Sequence, residues 1–477
     1  MREREEAGLG RLSRRGLLTG TGVALGALAA APGAMAQDAP PAPPPPTDPD
    51  FGDGDPTLRP DFPAAVSAEP PAPGGVDWAQ VRSQWSMAPE EVNLSAMLFA
   101  SNPRVVRDAI TRHRMALDAR PVTYLERNNR PLQNAARAAA GHYFGIPGGD
   151  VALCENTTEG VSLLYAGINV RYGDEVLTTT HDYYVTHESL RMSLARTGGV
   201  LRKVQLFEAS ERTNAAEIVG RLISAIGPRT RVLALTWVHS STGLKMPIRA
   251  IADALAPINA ARPAAEKVLL CVDGAHGFGV ENETLPSLGA DFVMAGCHKW
   301  LFGPRGTGVV FGTPLGWSRV SPTVPTFLAP NAYGSWIGGY DPGPTTGARM
   351  TPGGFKAFEH VWSLIEAFQF HEGIGKAAIS ARTHELGLRL KDGLNQMPHI
   401  TVRTPMDPSL CAGIVSFDVD GLSADAAVHK LRNGNVIASA APYAVRHVRL
   451  TPSFRNTPEE VDYALNLLNA LKPKARR

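Results

Sequence analysis

Short apolar runs separated by helical patterns constrain this chain most. Residues 231–238, 268–272, 291–295 and 309–311 are such runs. Between the first two, Pro247 opens a pattern through Ile251, Leu255 and Ile258, which is a helical spacing. Strands apolar on both faces and separated by helices belong in a parallel sheet covered on both sides. Polar residues just after such strands line the crevice at the sheet's carboxyl edge, where ligands of α/β proteins bind. The expected fold is α/β, with a mostly parallel sheet in a large domain.

A second pattern follows. One long helical stretch is expected over 354–393, then a strand over 413–418 and a helix over 424–431. A short strand at 448–450 and a helix over 458–471 complete a smaller α+β unit. Between the two units, residues 321–348 form a long irregular stretch rich in Gly, Pro and aromatics. A loop of that length is either functional or packed against a partner chain. The expected domains are 77–350, which includes an N-terminal segment, and 351–477.

The first 36 residues read as an address. Ser13-Arg14-Arg15-Gly16-Leu17-Leu18 is a twin-arginine pattern, a Gly- and Ala-rich apolar run follows, and Ala34-Met35-Ala36 fits a cleavage site. The protein is therefore expected to be exported to the periplasm. Residues 37–76 form a linker, and ten prolines within 38–63 make it stiff and unable to build a core.

Of the 47 Lys+Arg and 45 Asp+Glu, five basic and three acidic residues lie in the first 36, leaving 42 of each sign. A neutral mature chain is a poor partner for nucleic acid. Beyond the N-terminus, no stretch is apolar and long enough to insert stably in a membrane. Cys154, Cys271, Cys297 and Cys411 are widely spaced, and a buried free thiol is the default for Cys271 in its apolar run. No metal-ligand spacing stands out.

Two strand ends carry the most chemistry. Asp273-Gly-Ala-His276 ends one strand, and His298-Lys299 ends the next, Lys299 standing 26 residues after Asp273. Lysine forms imines with carbonyl compounds when partly desolvated. A buried aspartate is the usual partner of a protonated pyridine nitrogen. Upstream, Asn156-Thr157-Thr158-Glu159 precedes an apolar pattern and reads as a helix start. Its free N–H groups and hydroxyls make a phosphate cradle.

These strings, with Leu177-Thr-Thr-Thr-His-Asp-Tyr183, His239-Ser-Ser-Thr-Gly243 and Arg449-Leu-Thr-Pro-Ser-Phe454, stand in one family's order. From 93 to 470 the chain resembles the class V aminotransferases, fold-type I pyridoxal-phosphate enzymes, and most of all their isopenicillin N epimerase-like branch. The resemblance implies a pyridoxal 5'-phosphate cofactor, a small amino-acid-type substrate and a homodimer. By position, Lys299 would hold the cofactor aldehyde and shuttle protons at the substrate α-carbon, and Asp273 would pair with the ring nitrogen. His276 would sit near the ring hydroxyl, with Ser240 assisting. Thr157, Thr158 and His298 would hold the phosphate. Tyr183 would stack on the ring, with His181 as its rival, and Arg449 would clamp the substrate carboxylate.

Two departures from the family pattern matter. Desulfurases of the family carry a nucleophilic cysteine shortly before the carboxylate-binding arginine, and here 433–447 contains none. The nearest preceding cysteine, Cys411, begins a strand and reads as structural. Relatives also place a Gly-Thr pair near the long helix for the neighbouring subunit's phosphate, whereas this chain has Thr351-Pro352-Gly353-Gly354. The reading is an aminotransferase-like or epimerase-like enzyme acting at an amino-acid α-carbon. A C–S or β-elimination lyase and a non-catalytic cofactor-binding protein are the alternatives.

Overall fold

The computed structural model describes residues 75–326 and 329–471. The expected twin-arginine signal, and the linker up to residue 74, lie outside the described residues. An early strand, β1 (Val92–Asn93), is followed by β2 (Val151–Cys154), β3 (Glu175–Thr179) and β4 (Val200–Val204). Next come β5 (Thr230–Thr236), β6 (Leu269–Asp273), β7 (Phe292–Gly296) and β8 (Gly308–Gly312). Strands β2 to β8 form one sheet in the order β2-β8-β7-β6-β5-β3-β4.

The central strands run parallel, as their two-sided apolar character requires. Alternate side chains enter two separate cores. On β6, Leu270 and Val272 join one cluster, and Leu269 and Cys271 join the other. All five β6 residues are buried. Each fully buried aliphatic side chain contributes ~1.5–3 kcal/mol, so the middle of the sheet is a rigid base for its carboxyl edge.

Strand β8 departs from the expected parallel run, because it pairs antiparallel with both β7 and β2. Only residues 297–307 separate β7 from β8. A parallel return needs a crossover of a dozen or more residues, usually with a helix. The short return leaves His298 and Lys299 in a tight connection, with Cys297 N–H bonded to Thr307 O at 2.9 Å.

The expected long helix over 354–393 is three helices, Phe358–Trp362, Leu364–Ile374 and Lys376–Asn395. Gly375 breaks it with φ +96°, a backbone open to glycine at little cost. At the other break, the Ser363 hydroxyl bonds back to Glu359 O. The 321–348 stretch is less irregular than its composition suggests. It holds a helix, Pro330–Gly338, with Pro at its start and left-handed Gly339 at its end.

The C-terminal unit contains β9 (Ile400–Val402), β10 (Val415–Val419), β11 (Val436–Ile437), β12 (Ser439–Ala440) and β13 (Val448–Leu450). Four of them form an antiparallel sheet, β12-β13-β10-β9. Packing crosses the expected boundary at 350. Strand β1 pairs with β11, and Leu94 joins the C-terminal core. Conversely, Val361, Leu364 and Phe368 belong to the large core. All four cysteines are buried and unbridged. No helix among the described residues is long and apolar enough to cross a membrane.

Candidate active site

The parallel strands deliver their carboxyl ends to one edge, and the chemistry gathers there. Asp273 is the last residue of β6 and is in register with Thr236, the last of β5. Lys299 lies three residues beyond the end of β7. A cleft of about 130 Å³ is lined by Thr157, Thr158, Tyr183, Ser240, Asp273, His276, Lys299 and Arg449. Thus eight of the ten residues singled out from sequence share one cavity, His298 adjoins it, and His181, the rival of Tyr183, lies outside its lining. Met97, Leu98, Val185 and Pro442 supply apolar walls.

Burial governs the electrostatics. It pushes the Asp273 carboxyl up to about 6, against the Ala275 N–H that donates to it at 3.0 Å and the opposing pull of Lys299. Burial also lowers Lys299; Asp273 opposes the shift and Arg449 adds to it. A lysine moved that way is closer to the neutral amine that a nucleophile or base requires. His276 is held well below its usual range by burial and then by Lys299 and Arg449, so its ring is neutral. Trp300 Nε1–H donates to His276 Nδ1 at 3.3 Å, which leaves Nε2 as the ring's donor.

At the start of the helix Thr157–Gly167, Asn156 caps the Glu159 N–H at 2.9 Å. The Thr157 hydroxyl and His298 Nδ1 are both buried, and neither has a hydrogen-bond partner among the described residues. A Cβ on Gly296 would stand 2.9 Å from the His298 ring and 3.1 Å from the Thr157 hydroxyl, so glycine keeps this corner open. Unsatisfied buried polar atoms are costly, and two of them at a helix N-terminus fit a phosphate group. With Asp273 and Lys299 across the same cleft, the residues present fit pyridoxal phosphate.

Tyr183 lines the cleft, with its ring 5.7 Å from that of Tyr443. His181 turns away and stacks on Phe207 at 3.8 Å, and its Nε2 accepts from the Leu206 N–H. Arg449, on β13, is 2% exposed and donates to Ser240 O at 2.8 Å, Ala440 O at 3.2 Å and Ser439 Oγ at 3.2 Å. These partners are neutral. Burial lowers it to about 10, although Tyr443 and Tyr183 oppose the shift. A buried guanidinium facing a cleft without a carboxylate partner is a receptor for an anion.

Two site residues escaped the sequence reading. Asp182 is buried and accepts from Thr178 Oγ1 at 2.8 Å and from the Thr179 and Thr236 N–H groups at 2.7 Å. It ties the ends of β3 and β5 together where their ladder has stopped. Its signal was the Asp after a Thr-rich strand end, a common acceptor of nearby N–H groups. Tyr443 bonds Ser240 Oγ at 2.8 Å from a distant loop, and no local pattern marks it.

The family described as Aminotransferase class-V matches residues 103–463. Isopenicillin N epimerase of Streptomyces clavuligerus is 28% identical over 410 residues, 83% of this chain and 98% of that protein. A probable cysteine desulfurase of Vibrio cholerae is 25% identical over 303 residues, 60% of this chain and 67% of that one. Among solved structures, the cystine C–S lyase C-DES in complex with cysteine persulfide superposes with a TM-score of 0.72 at 22% identity. That match covers 81% of this chain and 99% of the lyase and shows a shared fold. The chain belongs to the class-V aminotransferase family and is a pyridoxal-phosphate-dependent enzyme within it.

Proposed function

We propose that this enzyme acts at the α-carbon of an amino acid or small amino-acid derivative, with aminotransferase-like or epimerase-like chemistry. One observation carries the reading: a half-buried lysine, a buried aspartate and a buried guanidinium with no carboxylate partner among the described residues share one cleft. When bound, pyridoxal phosphate supplies an electron-poor ring that stabilises negative charge at the α-carbon. Thr157, Thr158 and His298 would hold its phosphate, Asp273 would pair with its ring nitrogen and keep it protonated, and Tyr183 would pack against the ring. Arg449 grips the substrate carboxylate, and the amine of Lys299 takes and returns the α-proton. The Met97, Leu98 and Val185 side chains limit water at that carbon.

Arg449→Gln tests the carboxylate role. Losing one charge-assisted contact costs about 2–3 kcal/mol, so KM for the amino acid rises roughly 30- to 150-fold. Circular dichroism checks the fold of the variant, since Arg449 also donates to Ser240 O, Ala440 O and Ser439 Oγ. An unchanged KM assigns the clamp elsewhere.

Sulfur transfer is disfavoured in this reading. No cysteine lies in 433–447, and Cys411 is absent from the cleft lining. Cysteine as substrate is expected to yield neither alanine nor a persulfide on the chain, and alanine release would reverse this. Pyruvate and sulfide release from cysteine conjugates, rather than amine transfer to a keto acid, would mark a lyase. The reading also includes export through the twin-arginine segment and a homodimer. The exposed Phe99, Trp336 and Phe355 supply apolar surface for such an interface.

A further inference from the structure

Outside the cleft, one buried pair has no role in the chemistry above. Lys391, on the helix Lys376–Asn395, is 2% exposed. Its ammonium donates to Pro405 O at 2.9 Å and to Cys411 Sγ at 3.0 Å. Among the described residues it makes no ion pair with a carboxylate. The other charges facing Cys411 are engaged. Lys245, on the loop after β5, is paired with Glu281 at 2.8 Å, and Glu281 also bonds His384 at 2.8 Å. Asp407 is exposed and is held low first by Ser409, with Lys391 a lesser cause. Glu385 is exposed. An anionic sulfur at Cys411 would therefore complete an ion pair that the buried ammonium lacks.

The other three thiols, Cys154, Cys271 and Cys297, sit within the two apolar cores of the sheet. None of them has a hydrogen bond from a cation among the described residues. Access differs too. Lys391 and Cys411 line a cavity of about 130 Å³ with His384, Leu388 and Pro408, and the last two are exposed. Such a space holds several water-sized molecules, and hydrogen peroxide fits within it.

We propose that Cys411 is a modification site, oxidised to a sulfenic acid by hydrogen peroxide, with Lys391 as its activating partner. The Cys411 thiol, which donates to Pro408 O at 3.7 Å, first gives its proton to solvent; the thiolate then attacks one peroxide oxygen, an S–O bond forms and the O–O bond breaks. Sulfur loses two electrons and the peroxide gains them. The departing hydroxide takes a proton from the Lys391 ammonium, leaving water and a neutral amine.

The test exposes the purified chain to hydrogen peroxide with dimedone, which captures sulfenic acids, and maps the adduct by mass spectrometry. Dimedone also separates this event from oxygen addition at nearby Met406. Label is expected on Cys411 before Cys154, Cys271 or Cys297, and Lys391→Met, its fold checked by circular dichroism, is expected to slow labelling about tenfold or more. Label first on another cysteine, no label on any, or an unchanged rate in a folded Lys391→Met variant overturns the proposal. Should that variant not fold, the distribution of label over the four wild-type cysteines decides by itself.

Discussion

Lys299→Ala is expected to lose turnover by on the order of 10⁴-fold or more while keeping its fold. Burial makes the ammonium costly where it stands, and Arg449 adds repulsion. Only Asp273 opposes these effects. The chain thus holds a lysine in a place that favours the free amine, which is what proton transfer at carbon requires. Removing the side chain deletes that amine and relieves the burial of a charge, so melting temperature should hold or rise. Lys299→Arg should be equally inactive, because a guanidinium stays protonated. Turnover measured against circular dichroism checks both. Activity above a tenth of wild type in a folded Lys299→Ala protein would remove Lys299 from the chemistry.

Asp273→Asn is expected to move stability and activity in opposite directions. The folded carboxyl titrates at about 6, above its usual 3.8, because it is buried. The folded state therefore holds the proton more tightly than the unfolded state does. The charged form costs stability above pH 6, and that cost fades as pH falls from 6 towards 3.8. In the cofactor-free protein, the isosteric Asn removes it, for a gain of roughly 1–3 kcal/mol at pH 7 that vanishes near pH 4. The amide oxygen can still accept the Ala275 N–H. Turnover should fall on the order of 10²-fold or more, with weaker cofactor affinity, because a neutral amide cannot hold a proton on a ring nitrogen. Denaturant melts at pH 4 and pH 7 with matched turnover assays check this. A variant that is less stable at pH 7, or as active as wild type, contradicts the role given to Asp273.

What was legible in the sequence follows from how local each signal is. Asp273, Lys299 and Thr157 each sit at the end of an apolar run, and β2, β3, β5, β6 and β7 all direct their carboxyl ends to one edge. A reading of strand ends therefore gathers these residues before any coordinates are known. Tyr443 was not legible because its partner, Ser240, is 203 positions away. The structural work of Asp182 was hidden likewise, since one of its donors, Thr236, is 54 residues distant. Reversal of β8 depended on connection length, which an apolar count ignores. Breaks at Ser363 and Gly375 interrupt a helical periodicity that continues through them, so periodicity alone joined three helices into one. The helix Pro330–Gly338 hid in a composition typical of loops. Pairing of β1 with β11 spans most of the chain and leaves no local trace.

Sodium borohydride reduction of the protein loaded with pyridoxal phosphate, followed by peptide mapping, addresses the covalent site itself. A single pyridoxyl label on the peptide carrying Lys299, absent from Lys299→Ala, is the predicted result. Label on a different lysine, or a protein that takes up no cofactor, would contradict the assignment of this cleft.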